Sequence, residues 1–322
     1  MKEKQPLIIL TGPTAVGKTG LSIELAKRIG GEIISADSMQ VYRFMDIGSA
    51  KIKPDEMKGI PHHLIDVLNP EDEFNVFRFQ EMAKEAMQGI YKRGHIPIIA
   101  GGTGFYIQAL LYDIAFNEEE GASKIRARLE AEAESLGNEA LFERLKMLDP
   151  ESAEIIHPNN TKRLIRALEF YEINGSKISA HNQAEREKES PYDFCYFVLN
   201  DDREKLYARI EQRVDEMLEE GLVGEVQRLK DMGYHRNMVS MQGLGYKEIL
   251  AYLEGECSLE DAVYLIKRDT RHFAKRQLTW FRREKEVIWV DKPSFGYDNE
   301  KILEFMESNI CRKEKKHDKR NL

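Results

Sequence analysis

Eight residues near the amino terminus, Gly12, Pro13, Thr14, Ala15, Val16, Gly17, Lys18 and Thr19, form an uninterrupted G-x-x-x-x-G-K-T. They follow the apolar run Leu7 to Leu10 and precede a helical stretch, Leu21 to Ile29, which is the strand–loop–helix setting a phosphate-holding loop needs. Glycines let the backbone curl until successive N–H groups face one anion, and the start of the following helix adds its positive end. Lys18 brings a mobile charge, and Thr19 offers a hydroxyl to Mg2+. A diphosphate or polyphosphate is the expected ligand. The loop leaves the reaction open. No N-K-x-D for guanine accompanies it, and the apolar run Ile96 to Ala100 ends in Gly101-Gly-Thr-Gly104, where an ATPase would carry an aspartate. A small-molecule kinase or a related transferase fits this pattern.

Two further positions could act on an acceptor. Asp37 follows Glu-Ile-Ile-Ser-Ala and so falls at the carboxyl end of a strand, the edge of an open α/β sheet where ligands bind. There it either takes a proton as general base or caps the segment Ser38 to Tyr42. Thr103, in the turn after Ile96 to Ala100, either touches an acceptor or caps the helix that starts near Phe105. Arg209 and Arg213 lie four apart, on one helix face, so both guanidinium groups can point to one place; the alternative is surface pairing with Glu216 or Glu220.

The elements that must position these residues are visible as a change of pattern along the 322-residue chain. From the start to about residue 116, short apolar runs alternate with helical ones, the mark of a parallel sheet with crossover helices. Residues 117–190 read instead as charged helical sequence, with Leu129, Leu136, Leu141, Leu145 and Leu148 and then Leu164, Leu168 and Tyr171, closed by the polar run Asn182 to Pro191. The β-rich stretch Asp193 to Leu199 returns to the sheet. A long amphipathic helix over Leu206 to Leu229, broken near Gly221 or Gly224, follows, then helix over Leu259 to Arg283 and a last strand, Glu286 to Asp291. The expected architecture is an α/β fold: a P-loop NTPase-like parallel sheet core (1–116 and 191–311) with an inserted all-helical domain (117–190) and a frayed basic tail (312–322).

Composition narrows the class. At 42% hydrophobic and 32% charged residues, with no apolar run near the roughly 20 residues that span a bilayer, a soluble cytoplasmic protein is expected. Cys195, Cys257 and Cys311 are widely spaced and imply free thiols rather than a metal site. The net charge of −8 argues against a general polyanion-binding surface, but Tyr264 to Glu286 holds eight Lys or Arg against three acids. His62 and His63 have no partner at metal-ligand spacing and read as loop or packing residues.

Six segments in order, GPTAVGKT, SADSMQVY at 35–42, AGGTGFY at 100–106, HPNNTKRLIRALE at 157–169, RIEQRVDEML at 209–218 and QGLGYKE at 242–248, resemble the bacterial tRNA dimethylallyltransferases, also called tRNA isopentenylpyrophosphate transferases. The resemblance runs from about residue 7 to residue 290. It implies transfer of a dimethylallyl group from dimethylallyl diphosphate to the exocyclic amine of adenosine 37 of tRNA, with Mg2+ as cofactor. It also implies that Asp37 is the base, that Lys18, Thr19, Arg209 and Arg213 serve the diphosphate, and that the tRNA anticodon stem-loop is the partner of a monomeric enzyme.

An adenine stacked in a loop cannot reach a buried carboxylate, so it must be extruded and the loop held open. The resemblance assigns tRNA contacts to Asp37, Ser38, Met39 and Gln40, and to Thr161, Lys162, Arg163, Leu164 and Ile165. Arg166, Arg126 and Thr103 are counted with them, as is Gln242, whose amide can read a base edge. The basic stretch Lys267 to Lys285, with Phe273, Trp280 and Phe281 interleaved, either tracks the RNA backbone or is an amphipathic helix with core aromatics. No cysteine–histidine zinc-finger pattern follows residue 290. An enzyme that modifies free AMP or ATP, and a kinase, are the competing readings.

Overall fold

The computed structural model describes residues 4–115 and 122–318. The chain divides into two compact units, one formed by 1–110 and 192–322, the other by 111–191. The expected start of the insertion at 117 and the last residues of the tail, 319–322, lie outside the described residues.

The larger unit is built on a six-stranded sheet among the described residues. Its strands are β1 (Gln5–Thr11), β2 (Gly31–Ala36), β3 (His62–His63), β4 (Ile96–Gly101), β5 (Tyr192–Asn200) and β6 (Val287–Asp291). Every pairing is parallel, in the order β3-β2-β4-β1-β5-β6. Parallel neighbours require crossovers, and helices α1 (Lys18–Ile29) and α2 (Val76–Lys92) supply the first two, covering the sheet. Burial on both faces explains why β1 and β5 read as continuous apolar runs: Leu7, Ile9, Leu10, Phe197 and Leu199 have no exposed surface. Each such side chain contributes roughly 1.5–3 kcal/mol.

The short edge strand β3 was not visible in the sequence. His62 and His63 pair with Ile33 and Ile34, and His63 bonds the buried Glu32 carboxylate at 2.7 Å. Arg93 and His95 bond the same carboxylate, and the Arg93 guanidinium, with the two histidines, holds it at about 2, well below the usual range.

The smaller unit holds α3's last residue and α4 to α8: α3 (Gly104–Leu111), α4 (Ala122–Leu136), α5 (Asn138–Leu148), α6 (Pro150–Ile155), α7 (Thr161–Asn174) and α8 (Ile178–Glu187). Leu129, Leu141, Leu145, Leu164, Ile165 and Leu168 form its own core. The polar run expected over Asn182 to Pro191 is largely helical, since α8 reaches Glu187.

The rest of the larger unit is helical: α9 (Arg203–Glu219), α10 (Leu222–Asp231), α11 (Tyr246–Leu253), α12 (Leu259–Phe281) and α13 (Asn299–Asp318). The break between α9 and α10 falls at Gly221, with φ at 101°. The backbone of α13 is helical past Cys311 to Asp318, where a frayed tail was expected.

Candidate active site

The phosphate loop joins β1 to α1 at the carboxyl edge of the sheet. Its first glycine is required by close approach: at φ 150°, a Cβ on Gly12 would sit 2.7 Å from the carbonyl oxygen of Leu199 on β5. Gly17, at φ 95°, precedes α1 and leaves that helix start without a side-chain cap. Lys18 folds over the loop and donates to the carbonyls of Gly12 at 3.0 Å and Pro13 at 2.8 Å. Burial, and next the charge of Arg213, pull its amine down to about 7, while Asp37 acts in the opposite sense.

A cleft opens beside the loop. Lys18, Thr19, Ser35, Asp37 and Gln40 line it together with Ile33, Ile52, Ile65, Ala100 and His62. A cation, a hydroxyl and a carboxylate thus share one recess with aliphatic walls, an arrangement suited to an anion carrying an apolar group. His62 gives its Nδ1 to the carbonyl of Ile60 at 2.8 Å, and burial lowers its pKa.

Of the two roles expected of Asp37, the cap is seen. Oδ1 accepts from the backbone of Met39 at 2.8 Å and Gln40 at 3.3 Å, capping the turn. Oδ2 takes no hydrogen bond among the described residues, and Asp37 lines the cleft. The Thr103 hydroxyl has no side-chain partner among the described residues either; its N–H donates to the carbonyl of Ala36, which ties the turn after β4 to the strand that carries Asp37. Thr103 O accepts from Tyr106 and Ile107 as α3 begins, but no hydrogen bond from its hydroxyl caps that helix among the described residues.

The loop behind Asp37 is fastened from afar. The buried Glu225 carboxylate on α10 accepts the N–H groups of Asp46, Ile47 and Gly48 at 3.0, 2.8 and 3.1 Å, and the Tyr246 hydroxyl at 2.8 Å. The Gln40 amide then reaches Ser35 and the carbonyls of Ser49 and Ala50. The amide of Gln40, which was expected to touch tRNA, is engaged with its own chain, while the residue lines the cleft.

The arginine pair separates. Arg213 reaches Thr14 Oγ1 at 3.5 Å and forms no ion pair among the described residues, so its charge is directed at the loop. Arg209 does not join it over the cleft: it donates to the carbonyl of Ala15 at 3.0 Å and is paired with Asp201, whose side chain has no exposed surface. One face of a helix did not bring both groups to one point, because Asp201 at the end of β5 captures Arg209.

In the helical unit, Lys162 and Arg163 are exposed and in no ion pair among the described residues. Arg126 and Arg166 converge on the buried Glu169, at 2.7 and 3.3 Å. Leu164 and Ile165 are core residues, 0% and 6% exposed, so their side chains cannot contact tRNA; they anchor the turn that presents Lys162 and Arg163. Thr161 bonds Asn138 at 3.0 Å. Of the other assigned contacts, Ser38 and Met39 are half-buried in the Asp37 turn, and Gln242 is exposed with its amide on the carbonyl of Arg236.

The basic stretch of α12 is mostly the amphipathic helix. Phe281 is fully buried, and Lys267 and Arg271 pair with Asp215 and Glu211 on α9. One residue there matters to the site and was missed: Gln277 accepts from the Thr14 N–H and donates to the Gly102 carbonyl, both at 2.9 Å, locking the phosphate loop to the turn after β4. A Cβ on Gly102 would lie 2.1 Å from its amide nitrogen.

A parallel sheet with a phosphate loop at its carboxyl edge and a carboxylate across the cleft defines a P-loop α/β protein built to act on a phosphorylated substrate. The family model described as IPP transferase matches residues 40–284. The tRNA dimethylallyltransferase of Lachnoclostridium phytofermentans is 61% identical over 94% of this chain and 96% of its own length; that of Acetivibrio thermocellus is 51% identical over 92% and 95%. Among solved structures, the full-length tRNA isopentenylpyrophosphate transferase of Bacillus halodurans superposes with a TM-score of 0.73 at 42% identity, covering 98% of this chain and 99% of that one. A eukaryotic dimethylallyltransferase acting on tRNA superposes with a TM-score of 0.74 at 31% identity, over 89% of this chain and 74% of that one. The chain belongs to the tRNA dimethylallyltransferase family.

Proposed function

We propose that the chain transfers the dimethylallyl group of dimethylallyl diphosphate to the exocyclic N6 amine of adenosine 37 in tRNA, releasing diphosphate. The observation that carries this reading is the single cleft that holds Lys18, Thr19 and Asp37 among aliphatic walls. The loop binds the leaving group, and Ile33, Ile52 and Ile65 accommodate the hydrocarbon. As N6 bonds to the allylic carbon, the carbon–oxygen bond breaks and its electron pair leaves with the diphosphate. The amine lone pair is delocalised into the ring, so removal of its proton by Asp37 lowers the barrier. Lys18 and the loop N–H groups neutralise the charge that grows on the leaving oxygen.

No group of three His, Cys, Asp or Glu side chains among the described residues could hold a metal by itself. Mg2+ commonly takes one or two protein ligands and completes its shell with phosphate oxygens and water, and the exposed Thr19 hydroxyl at the start of α1 suits that role. The ion would add positive charge against the departing diphosphate. Among the described residues no helix is long and apolar enough to cross a membrane; a monomer working in the cytoplasm is the form this reading takes.

Labelled dimethylallyl diphosphate, offered with either a tRNA anticodon stem-loop or AMP, tests the proposal. Label is expected in the stem-loop; label in AMP alone would make the chain a free-nucleotide enzyme, and label in neither would end the reading. The same stem-loop tests the RNA-facing residues. Log K is expected to fall with log salt, and replacing Lys162 and Arg163 with Ala to reduce the slope by about 0.7 for each phosphate that is no longer neutralised. Arg166→Ala is expected to change it less, since Glu169 already shares that charge. An unaltered slope in the double variant would remove these two residues from the RNA interface.

A further inference from the structure

The stretch after β6 lies beyond residues 40–284 that match the family model, yet it reaches the phosphate loop. Parallel pairing of β6 with β5, in the register Asn200 to Asp291, carries the 3-10 turn Lys292–Phe295 to the carboxyl edge of the sheet. From there Lys292 Nζ donates to the carbonyl of Val16 at 3.1 Å and lies 3.3 Å from where a Cβ on Gly17 would sit. Arg209 grips the preceding carbonyl, that of Ala15. Arg209 is seated in turn by Asp201, which also accepts the Tyr297 hydroxyl at 3.0 Å. Two cations from distant parts of the chain therefore hold consecutive carbonyls of one loop.

A trans peptide is planar, so the carbonyl of one residue and the N–H of the next point in opposite directions. Fixing Val16 O toward Lys292 turns the Gly17 N–H away from Lys292, and that N–H donates to no group among the described residues. The Thr14 N–H, by contrast, is already taken by Gln277. We propose that Lys292 is a positioning residue for the diphosphate: by holding the Val16 carbonyl it aims the Gly17 N–H into the anion site. The proposal rests on the reading of the loop as the diphosphate site. Lys292 touches no reacting atom. It acts through one peptide plane, and its charge adds to the positive field at the loop.

The test compares Lys292→Met and Lys292→Arg with the wild type. Readouts are KM for dimethylallyl diphosphate, the inhibition constant of inorganic pyrophosphate, kcat, and the dissociation constant of the anticodon stem-loop. In Lys292→Met, KM and the pyrophosphate constant are expected to rise about 10-fold, the scale of one missing hydrogen bond. The stem-loop constant is expected to stay at the wild-type value, and Lys292→Arg to recover most of the pyrophosphate affinity. If Lys292→Met does not fold, Lys292→Gln, too short to reach Val16, is expected to give the same rise. A wild-type pyrophosphate constant in a folded neutral variant overturns the proposal, as does an equal loss of stem-loop affinity. Absence of turnover in the wild type would strike the underlying reading instead, so the two failures are distinct.

Discussion

Asp37→Asn is expected to lower kcat by roughly 10² to 10⁴-fold while leaving the affinity for the anticodon stem-loop nearly unchanged. The reason lies in the division of labour between its two oxygens. Oδ1 caps the turn through the N–H groups of Met39 and Gln40, and the Asn side chain keeps an oxygen for that task. The other atom becomes an amide nitrogen, which cannot take the proton of an attacking amine. Single-turnover rates at saturating stem-loop, with a separate equilibrium binding measurement, distinguish the outcomes. A loss confined to binding would make Asp37 a cap or a base-reading contact, and another proton acceptor would have to be found. Ser35 and Gln40 in the cleft are not bases at neutral pH, so His62, whose imidazole lines the same cleft, would be the next residue to replace.

The second large effect concerns Lys18, where Lys18→Ala is expected to cost 10²-fold or more in kcat/KM, about 2.7 kcal/mol of transition-state stabilisation. Activity at the wild-type level would sink the assignment of the loop to the leaving group. The lysine also carries a pH signature. Its amine titrates near 7 in the free protein because burial and the Arg213 charge disfavour the ammonium, against an ordinary value of 10.5. A bound diphosphate favours the ammonium and so raises that pKa. Below pH 7 the amine is charged with or without ligand, and its contribution is flat. Above pH 7 binding must take up a proton, so the affinity contributed by Lys18 declines as pH rises, until the pKa of the complex is passed. Pyrophosphate binding measured from pH 6 to 9 is expected to show this decline in the wild type relative to Lys18→Ala, which subtracts the titration of the ligand. Parallel curves for the two proteins would mean that the amine is not linked to the anion.

Much of this site could be read before any fold was known, because it is local. The phosphate loop is eight consecutive residues, and Asp37 stands directly after the strand that places it. Their relation needed only the rule that ligands gather at the carboxyl edge of a parallel sheet. What escaped is held together across the chain. Gln277 meets Thr14 over a separation of 263 residues and Lys292 meets Val16 over 276, and neither carries a motif. Glu225 is one acid among many in the sequence, and only its burial against three backbone N–H groups marks it out. Arg209 and Arg213 show the limit of periodicity: four residues apart guarantees a shared face, but the partner at each position decides where a flexible side chain ends. Leu164 and Ile165 were carried into the RNA interface with their neighbours in a motif, whereas the 3.6-residue period of α7 turns them, with Leu168, to the core and leaves Lys162 and Arg163 outside. The two-residue strand at His62 and His63 has no apolar run to announce it.

The sheet order sets a timetable for synthesis. β1 is flanked by β4 and β5, pairing with β5 from Gln5 to Tyr192 through Thr11 to Val198. The strand that bears the phosphate loop therefore leaves the ribosome long before one of its two neighbours exists. At a translation rate of roughly 5–20 residues per second, the helical unit 111–191, with its own core, is completed during that wait. Meanwhile one edge of β1, apolar and unpaired, stays open to mispairing until β5 arrives. A nascent chain stalled before β5 has emerged from the ribosome is expected to need a chaperone, and one stalled after it has emerged much less so, because the loop's own strand is then enclosed.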